Sequence, residues 1–298
     1  MSETIRIAKL IAHRGLASRR EAEVWISEGR VTLNGKLVKT PATLVSAAED
    51  VVCVDGEPLP EQPDKLYVLL YKPKGYITSR NPGQGRKSVL ELVEHLGVRV
   101  EAVGRLDYDT EGALLLTNDG ELAHALTHPS REVPKRYLVK VYRTPDVADL
   151  KSIESGVYLD DGRTLPAKVR VVEQTGATNA WVEITVTEGR NRLIRRIFEQ
   201  LKHPVAKLRR ESFATLSIRG MERGDVRVVT GEELRRVRDI AQGMRPEKAG
   251  RLRRKKGFAR PKPKPNAKPR SRSKSAGKRE SGKGRGPSTA KRNKRKST

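Results

Sequence analysis

The last 53 residues of this 298-residue chain have a composition that cannot form a folded domain. Residues 246–298 contain 12 Lys and 10 Arg against two Glu, a net charge of +20, and Leu252 and Phe258 are their only large apolar residues. So little apolar surface cannot offset the conformational entropy that is lost on ordering. We therefore expect a disordered Lys/Arg-rich tail, and the folded domains must be encoded by residues 1–245.

The charge of the chain is correspondingly uneven. Residues 1–245 carry only +6 of the formal net charge of +26, which is ordinary for a folded domain pair. A run of Lys and Arg attracts any polyanion through counterion release, which indicates a nucleic acid partner but provides no sequence recognition. A solubilising tail or a nonspecific anchor is the alternative interpretation.

The remaining composition argues against several classes of protein. Cys53 is the only cysteine, which excludes an intrachain disulfide framework, and five scattered His argue against a structural zinc site. The sequence shows no apolar stretch long enough to span a membrane and no apolar signal-peptide region near its start. We therefore expect a cytoplasmic protein without a membrane partner.

Residues 1–59 have the pattern of a small helix-rich domain. A first amphipathic helix is expected to end at Gly15, a residue suited to a helix C-terminus. Ser18 and Glu21 have the spacing of a capping box, which predicts the start of a second helix. The dipeptide Asn34-Gly35 then favours a tight hairpin between two short strands.

Basic side chains surround these two helices and the hairpin. They can form a concave face that binds phosphates, although any one of them can equally be a solvated surface residue. The pattern resembles the alpha-L motif, a small RNA-binding domain shared by a small-subunit ribosomal protein, tyrosyl-tRNA synthetases and several RNA-modifying enzymes. The predicted RNA-binding residues are Lys9, Arg19, Arg20, Arg30 and Lys36.

A linker at residues 60–64 precedes a larger domain, residues 65–245. Several predicted strands follow one another without an intervening helix, which indicates an α+β domain with a mixed, mainly antiparallel sheet flanked by helices. The glycine-rich phosphate-binding motifs of doubly wound nucleotide-binding folds are missing from the sequence. The β-rich runs are residues 66–71, 136–142, 168–172 and 181–187, and the helical patterns are residues 147–155, 190–200 and 232–240.

The acidic stretch 104–112, GRLDYDTEG, precedes an apolar run and is the densest candidate for chemistry. A loop of this kind can hold a carboxylate on a rigid support at the wall of a cleft. From the residues alone, an acidic surface turn remains the better interpretation. Asp107 and Asp109 are also compatible with a weak hard-metal site or with an acid and base pair for glycoside hydrolysis.

Three stretches together resemble the motifs of bacterial rRNA pseudouridine synthases of the RsuA/RluB branch. They are residues 104–120, which include GRLDYDTEG and LLLTNDG, the earlier YKPKGY at 71–76, and the later EGRNRLIRR at 188–196. The resemblance implies a pseudouridine synthase catalytic domain that isomerises a uridine without cofactor or metal. It further implies a monomer whose partner is ribosomal RNA or a pre-ribosomal particle.

The resemblance also assigns roles to single residues. Asp107 matches the nucleophile, which attacks the sugar, attacks the base, or assists elimination. Tyr137 matches the aromatic residue that stacks on the flipped base, although a strand tyrosine in the core has the same appearance. Arg195 matches the cation that pairs with the catalytic carboxylate and favours its ionised form. Ile194 matches the apolar wall beside the uracil, and Arg105 matches a residue that fills the space of the flipped nucleotide or contacts its phosphate.

Two other functions are compatible with parts of the sequence. A noncatalytic RNA-binding or ribosome-assembly protein would use the N-terminal domain and the tail, and a DNA-compacting protein would use the tail alone. The late motif beginning Gly-Arg-Asn-Arg, together with the basic tail, favours the large-subunit members of the family over the small-subunit members.

We predict that deletion of residues 246–298 weakens RNA binding and reduces its salt dependence, because fewer counterions are then released on binding. Single-turnover isomerisation at saturating RNA should remain unchanged. Filter binding at several salt concentrations and a single-turnover assay measure the two effects. Loss of isomerisation at saturating RNA would instead make the tail part of the active site.

Overall fold

The computed structural model describes residues 4–80, 83, 85–175 and 178–244. The basic tail that the composition predicts lies outside these residues. No helix in the described ranges is long and apolar enough to cross a membrane.

The N-terminal part combines two helices with short strands. Strand β1 pairs with β4, and a second sheet has the order β3-β2-β5-β6, with all neighbours antiparallel. Apolar side chains of both helices pack onto this second sheet. The elements are β1 (Thr4–Arg6), α1 (Ile7–His13), α2 (Arg19–Ser27), β2 (Val31–Leu33), β3 (Lys36–Leu37), β4 (Leu44–Ser46), β5 (Val52–Val54) and β6 (Glu57–Pro58).

The local signals predicted for this part are confirmed. The Ser18 amide donates to Glu21 Oε2 at 2.6 Å, and the Glu21 amide donates to Ser18 Oγ at 3.2 Å, which forms the capping box at the start of α2. Asn34 and Gly35 both have positive φ, +48° and +76°, and connect β2 to β3. These are the angles that a two-residue hairpin turn requires.

The second part is built around one nine-stranded sheet. Its helices are α3 (Gly120–Thr127), α4 (Val147–Ser155), α5 (Leu193–Gln200) and α6 (Gly231–Ala241), and Val89–Leu96 and Pro129–Arg131 form 3-10 helices. Its strands are β7 (Tyr67–Lys72), β8 (Tyr76–Ile77), β9 (Lys87–Ser88), β10 (Glu101–Ala102), β11 (Glu111–Thr117), β12 (Lys135–Val141), β13 (Tyr158–Leu159), β14 (Gly162–Arg163), β15 (Lys168–Thr175), β16 (Asn179–Val186), β17 (Val205–Phe213), β18 (Leu216–Ser217) and β19 (Val226–Val228).

The main path of this sheet has the order β15-β16-β12-β17-β11-β7-β19, with β10 added to β11 and β18 to β17. Neighbouring strands are antiparallel except for β11 and β17, which are parallel. This arrangement confirms the predicted α+β class with a mixed, mainly antiparallel sheet. The hairpin β13–β14 and the parallel pair β8–β9 lie outside the sheet.

Helices cover the sheet in two regions. Around β7 and β11, α3 and α6 pack on one face and the 3-10 helix Val89–Leu96 packs on the other. Around β12 and β16, α4 and α5 contribute to a separate cluster on one face. Tyr137 on β12 packs against both this cluster and the cluster beneath the 3-10 helix, so the two clusters are continuous on one face of the sheet.

The structure differs from the element predictions at α3, β17 and α5. Helix α3 is not predicted; it begins after Asp119, whose side chain accepts the Leu122 amide at 3.2 Å and caps the helix. Strand β17 is not predicted, although it lies in the middle of the sheet. The predicted helix at residues 190–200 begins three residues late, after Arg192 in the left-handed conformation at φ +47°.

The parallel pairing of β11 with β17 depends on Gly112. Its φ is +124°, and a Cβ atom at this position would lie 2.2 Å from the carbonyl oxygen of Arg210. Only glycine allows the two backbones to approach so closely. This contact joins the half of the sheet that carries β7 and β11 to the half that carries β12 and β16.

We predict that Gly112→Ala lowers the free energy of unfolding by about 2 kcal/mol or more, because a strained φ and a clash with backbone add together. Gly162→Ala is the matched control, since Gly162 also has a positive φ, +104°, but no atom lies within 4 Å of its added Cβ. Urea denaturation of both variants measures the difference. Equal losses for the two variants would contradict the role of the close approach.

Candidate active site

The loop that carries Asp107 lies between β10 and β11 and is tightly turned. The Thr110 amide donates to the Asp107 carbonyl at 3.1 Å, which closes the turn. Leu106 is buried in the cluster beneath the 3-10 helix and anchors the loop to the sheet. The Asp107 side chain is partly exposed, so its carboxylate is accessible while its backbone is fixed.

A buried lysine at the end of β7 holds this loop from below. Lys72 has no exposed surface, and its ammonium group donates to the carbonyls of Pro73 at 3.1 Å, Asp107 at 3.1 Å and Thr110 at 2.8 Å. Burial lowers the pKa of Lys72 to about 8, and the negative charges of Asp107 and Asp109 oppose this shift. The ammonium group thus donates hydrogen bonds to the backbone of the loop and to neither of its two carboxylates.

The segment after Lys72 adds further tethers. The Gly75 amide donates to the Tyr108 carbonyl at 2.9 Å. Thr78 Oγ1 donates to the Leu106 carbonyl at 2.9 Å and accepts the Leu106 amide at 3.3 Å. The resemblance of the stretch YKPKGY to a family motif assigns no role to Lys72. The sequence feature that could have indicated a structural role for Lys72 is its place directly after the apolar run 66–71.

Tyr137 lies on β12, where it is partly buried. It packs against the cluster that contains Leu106 and also against the cluster that contains Ile194. Its neighbour on β17 is Arg210, which is buried and donates from Nε to the Ala113 carbonyl at 2.7 Å. The tyrosine therefore joins the apolar cluster that anchors the Asp107 loop to the cluster that contains Ile194 of α5.

Helix α5 presents Ile194 and Arg195 in its first turn. Ile194 is buried among apolar side chains. Arg195 was expected to pair with Asp107, but its Nη2 atom lies 2.6 Å from Asp109 Oδ2. In the structure the guanidinium group therefore pairs with the carboxylate two residues after Asp107 on the same loop. Within the described part of the chain, Arg195 Nε has no hydrogen-bond partner.

Ion pairs fix the segment that leads into α5. Arg190 Nη1 lies 2.9 Å from Asp161 Oδ1, and Arg196 Nη2 lies 2.6 Å from the same atom. Arg196 also pairs with Asp160. All these carboxylates belong to the hairpin β13–β14, so the hairpin holds the two arginines that flank Ile194 and Arg195.

A second buried lysine supports the beginning of this segment. Lys135 on β12 donates to the carbonyls of Val133 at 2.8 Å and Thr187 at 3.2 Å. Burial, with a smaller contribution from the charge of Arg210, lowers the pKa of Lys135 to about 8, and Glu188 opposes the shift. Both loops at the candidate site are therefore held through backbone carbonyls by partly or fully buried ammonium groups.

The remaining predicted residues are more exposed. Arg105 lies on the surface of the Asp107 loop. No group of three or more His, Cys, Asp or Glu side chains suited to a metal ion occurs among the residues that the structure describes.

The five basic residues predicted to bind RNA differ in their contacts. Lys9 lies 3.5 Å from Glu121, and Arg30 pairs with Asp55 and stacks over Trp25 with its Cζ atom 4.9 Å from the ring centroid. Arg19 and Arg20 are exposed and line a cleft of about 580 Å³ between the N-terminal helices and the large sheet, and Lys36 is exposed on β3.

The sequence matches two protein families. Residues 66–200 match the RNA pseudouridylate synthase family, and residues 5–52 match the S4 domain family. The ribosomal large subunit pseudouridine synthase B of Bacillus subtilis (strain 168) is 42% identical over 237 residues, which cover 79% of this chain and 96% of the relative. The protein of the same name from Yersinia pestis is 38% identical over 227 residues, which cover 74% of this chain and 70% of the relative.

The fold is also similar to a solved structure. A crystal structure of a pseudouridylate synthase superposes with a TM-score of 0.57 at 28% sequence identity, over 78% of this chain and 99% of the other chain.

We predict that the stability of the wild type relative to Lys72→Met rises with pH between about 8 and 10.5, the pKa of Lys72 in the folded protein and its ordinary value. In this window Lys72 is protonated in the unfolded chain but largely neutral in the folded protein. The contribution of Lys72 to the free energy of unfolding therefore increases as the pH rises, and it is lost as the pH falls through about 8. Urea denaturation of both proteins at several pH values and constant ionic strength measures this difference in stability. Lys74→Met, at an exposed position, is the control. A difference that is independent of pH would contradict the assignment.

Proposed function

The chain belongs to the RNA pseudouridylate synthase family, with an N-terminal S4 domain as the sequence predicts, and we propose that it converts a specific uridine of large-subunit ribosomal RNA to pseudouridine. The names of the relatives from Bacillus subtilis and Yersinia pestis support the choice of the large subunit. We further propose that residues 1–59 bind RNA, that residues 65–245 carry out catalysis, and that residues 60–64 link them.

The proposed reaction is an isomerisation. The bond between N1 of uracil and C1′ of the ribose breaks, the base rotates, and a bond from C5 to C1′ forms; C5 loses a proton and N1 gains one. The substrate and the product have the same composition and oxidation state, so the chemistry requires no redox cofactor. In our proposal the Asp107 carboxylate acts as the nucleophile and no metal ion takes part.

The position of Tyr137 is the observation that carries this proposal. Its ring packs against the cluster of Leu106, which precedes Asp107, and against the cluster of Ile194 on α5. An aromatic ring between a fixed carboxylate loop and an apolar wall suits a flipped uracil, because stacking replaces part of the contact that the base loses on leaving the RNA.

Arg195 is proposed to support Asp107 through its charge. In the free protein it pairs with Asp109, two residues from Asp107, and its side chain is 13% exposed. A cation in a poorly solvated position is weakly screened by water, so we propose that it offsets the negative charge of the Asp107 loop. Arg105 on the same loop is proposed to contact the phosphate of the flipped nucleotide or to fill its place.

In the N-terminal domain we propose that Lys9, Arg19, Arg20, Arg30 and Lys36 contact RNA phosphates. Arg19 and Arg20 are the best supported of these, since both are exposed in the cleft and neither forms an ion pair within the described ranges. Arg30 would have to exchange Asp55 for a phosphate.

We predict that Asp107→Asn abolishes the release of tritium from C5 of labelled uridine while RNA binding persists, because the amide cannot act as the nucleophile but has the same shape. The assay uses unmodified large-subunit rRNA transcribed in vitro, with small-subunit rRNA as the comparison substrate. Asp109→Asn is the matched control, and we expect it to retain partial activity, because it removes the partner of Arg195 and leaves Asp107 intact.

Equal loss of activity in both variants would contradict the assignment of Asp107 as the sole nucleophile. Failure of the wild type to release tritium from either rRNA would contradict the proposed function itself. Release from the small-subunit transcript alone would correct the proposed substrate.

A further inference from the structure

The four strands β15, β16, β12 and β17 have one face that is covered and one that is open. Val139 and Val141 on β12 and Val182 and Ile184 on β16 are buried on the covered face. The alternate residues point to the opposite face, which we call the outer face, and none of those on β12 and β16 is buried. Tyr137 belongs to the covered side, so the outer face lies across the sheet from the candidate active site.

The outer face is basic. Cross-strand register and alternation place six basic residues on it: Arg136, Lys140, Lys168, Arg170, Lys207 and Arg209. Some of this charge is neutralised: Glu183 lies 2.8 Å from Arg170 and 3.9 Å from Arg136, and Glu211 pairs with Arg209. Glu173, opposite Trp181, is the third carboxylate, so the face retains a net positive charge.

The lysines at the centre of the face are arranged unfavourably for the free protein. Lys140 and Lys207 are direct partners in the antiparallel pairing of β12 with β17, and neither forms an ion pair in the part of the chain that the structure describes. Like charges opposite each other destabilise a sheet. Lysines often protect exposed sheet edges, but β12 and β17 are internal strands, so edge protection does not explain them.

Apolar surface accompanies this charge. Trp181 is the register partner of Lys140, whose Nζ atom lies 6.0 Å from the indole ring centroid. Trp181 and Leu138 are both partly exposed and belong to none of the hydrophobic clusters. A flat aromatic side chain among unpaired cations matches the two components of RNA, stacked bases and phosphates.

We propose that the outer face is a second RNA-contact surface, which binds a segment of the substrate rRNA other than the one that holds the target uridine. Phosphates lie against Lys140 and Lys207, and a base contacts Trp181. The proposal rests on the proposed function, because that function supplies RNA as the substrate. Residues 246–298 offer no complementary charge, since their net charge of +20 has the same sign as the face.

The first test compares Lys140→Gln/Lys207→Gln with Lys151→Gln/Lys202→Gln in the full chain. The control pair removes two exposed lysines outside the outer face. On a large-subunit rRNA transcript, loss of two phosphate contacts should reduce the slope of log Kd against log salt by about 1.4 to 1.8 relative to the control pair. On a short hairpin that contains only the modified uridine and its stem, the two pairs should bind alike, with equal single-turnover rates.

The second test reports on the face directly. The chain has two tryptophans, so Trp25→Phe leaves Trp181 as the only indole fluorophore. We expect the large-subunit transcript to quench Trp181 fluorescence and the short hairpin to leave it unchanged. An unchanged salt slope together with an unquenched Trp181 would overturn the proposal. It would also be overturned if the Lys140→Gln/Lys207→Gln variant bound rRNA normally but no longer bound an acidic ribosomal protein.

These outcomes separate this proposal from the proposed function. Quenching of Trp181 by rRNA without any formation of pseudouridine would overturn the function and keep the surface. Formation of pseudouridine with neither quenching nor a change in salt slope would keep the function and overturn the surface.

Discussion

The candidate site depends on one buried charge, the ammonium group of Lys72. Removing a lysine from water is costly, and the lowered pKa of about 8 reflects that cost. Three backbone carbonyls, those of Pro73, Asp107 and Thr110, offset it, and they account for the three donors of the group. Because the acceptors are carbonyls, the loop is fixed without consuming its carboxylates. An arrangement in which Lys72 paired directly with Asp107 would have the same attraction but would mask the group that our proposal requires to react.

The loop can occupy this position only because the two halves of the sheet meet closely beside it. Gly112 follows the Asp107 loop at the start of β11 and pairs with Arg210 on β17. A Cβ atom on Gly112 would come within 2.2 Å of the Arg210 carbonyl oxygen. Strand β17 in turn pairs with β12, which places Tyr137 next to Arg210 in the register. The position of the aromatic ring relative to the carboxylate loop is thus set by backbone pairing across three strands, and each of these strands contributes to an apolar cluster that also contains helix residues.

The sequence predicts this architecture unevenly, for physical reasons. The bounds of α4 follow from a capping box of Asp146 and Asp149 and a glycine at its end, all of which act locally. Strand β17 escapes prediction because its buried Arg210 replaces an apolar residue, and that burial depends on a distant acceptor, the Ala113 carbonyl. The partner of Arg195 is not predictable either, since Asp107 and Asp109 differ by two positions and only the geometry of the turn decides which carboxylate the guanidinium reaches. Local signals can be recognised in a single sequence, whereas contacts between distant segments cannot.

The distribution of charge across the sheet has a consequence for a polyanionic substrate. A carboxylate that must approach RNA meets phosphates of the same sign, and this repulsion is strongest where water is excluded. Lys72 and Lys135 place two ammonium groups under the loops that flank Tyr137, with Arg210 buried beside them. Their hydrogen bonds go to neutral carbonyls, so their positive charge partly offsets the negative charge of Asp107 and Asp109 at the site. In our proposal, the same cations that fix the loops thereby lower the electrostatic cost of bringing a nucleotide to Asp107, which joins the stability of the fold to the binding of RNA.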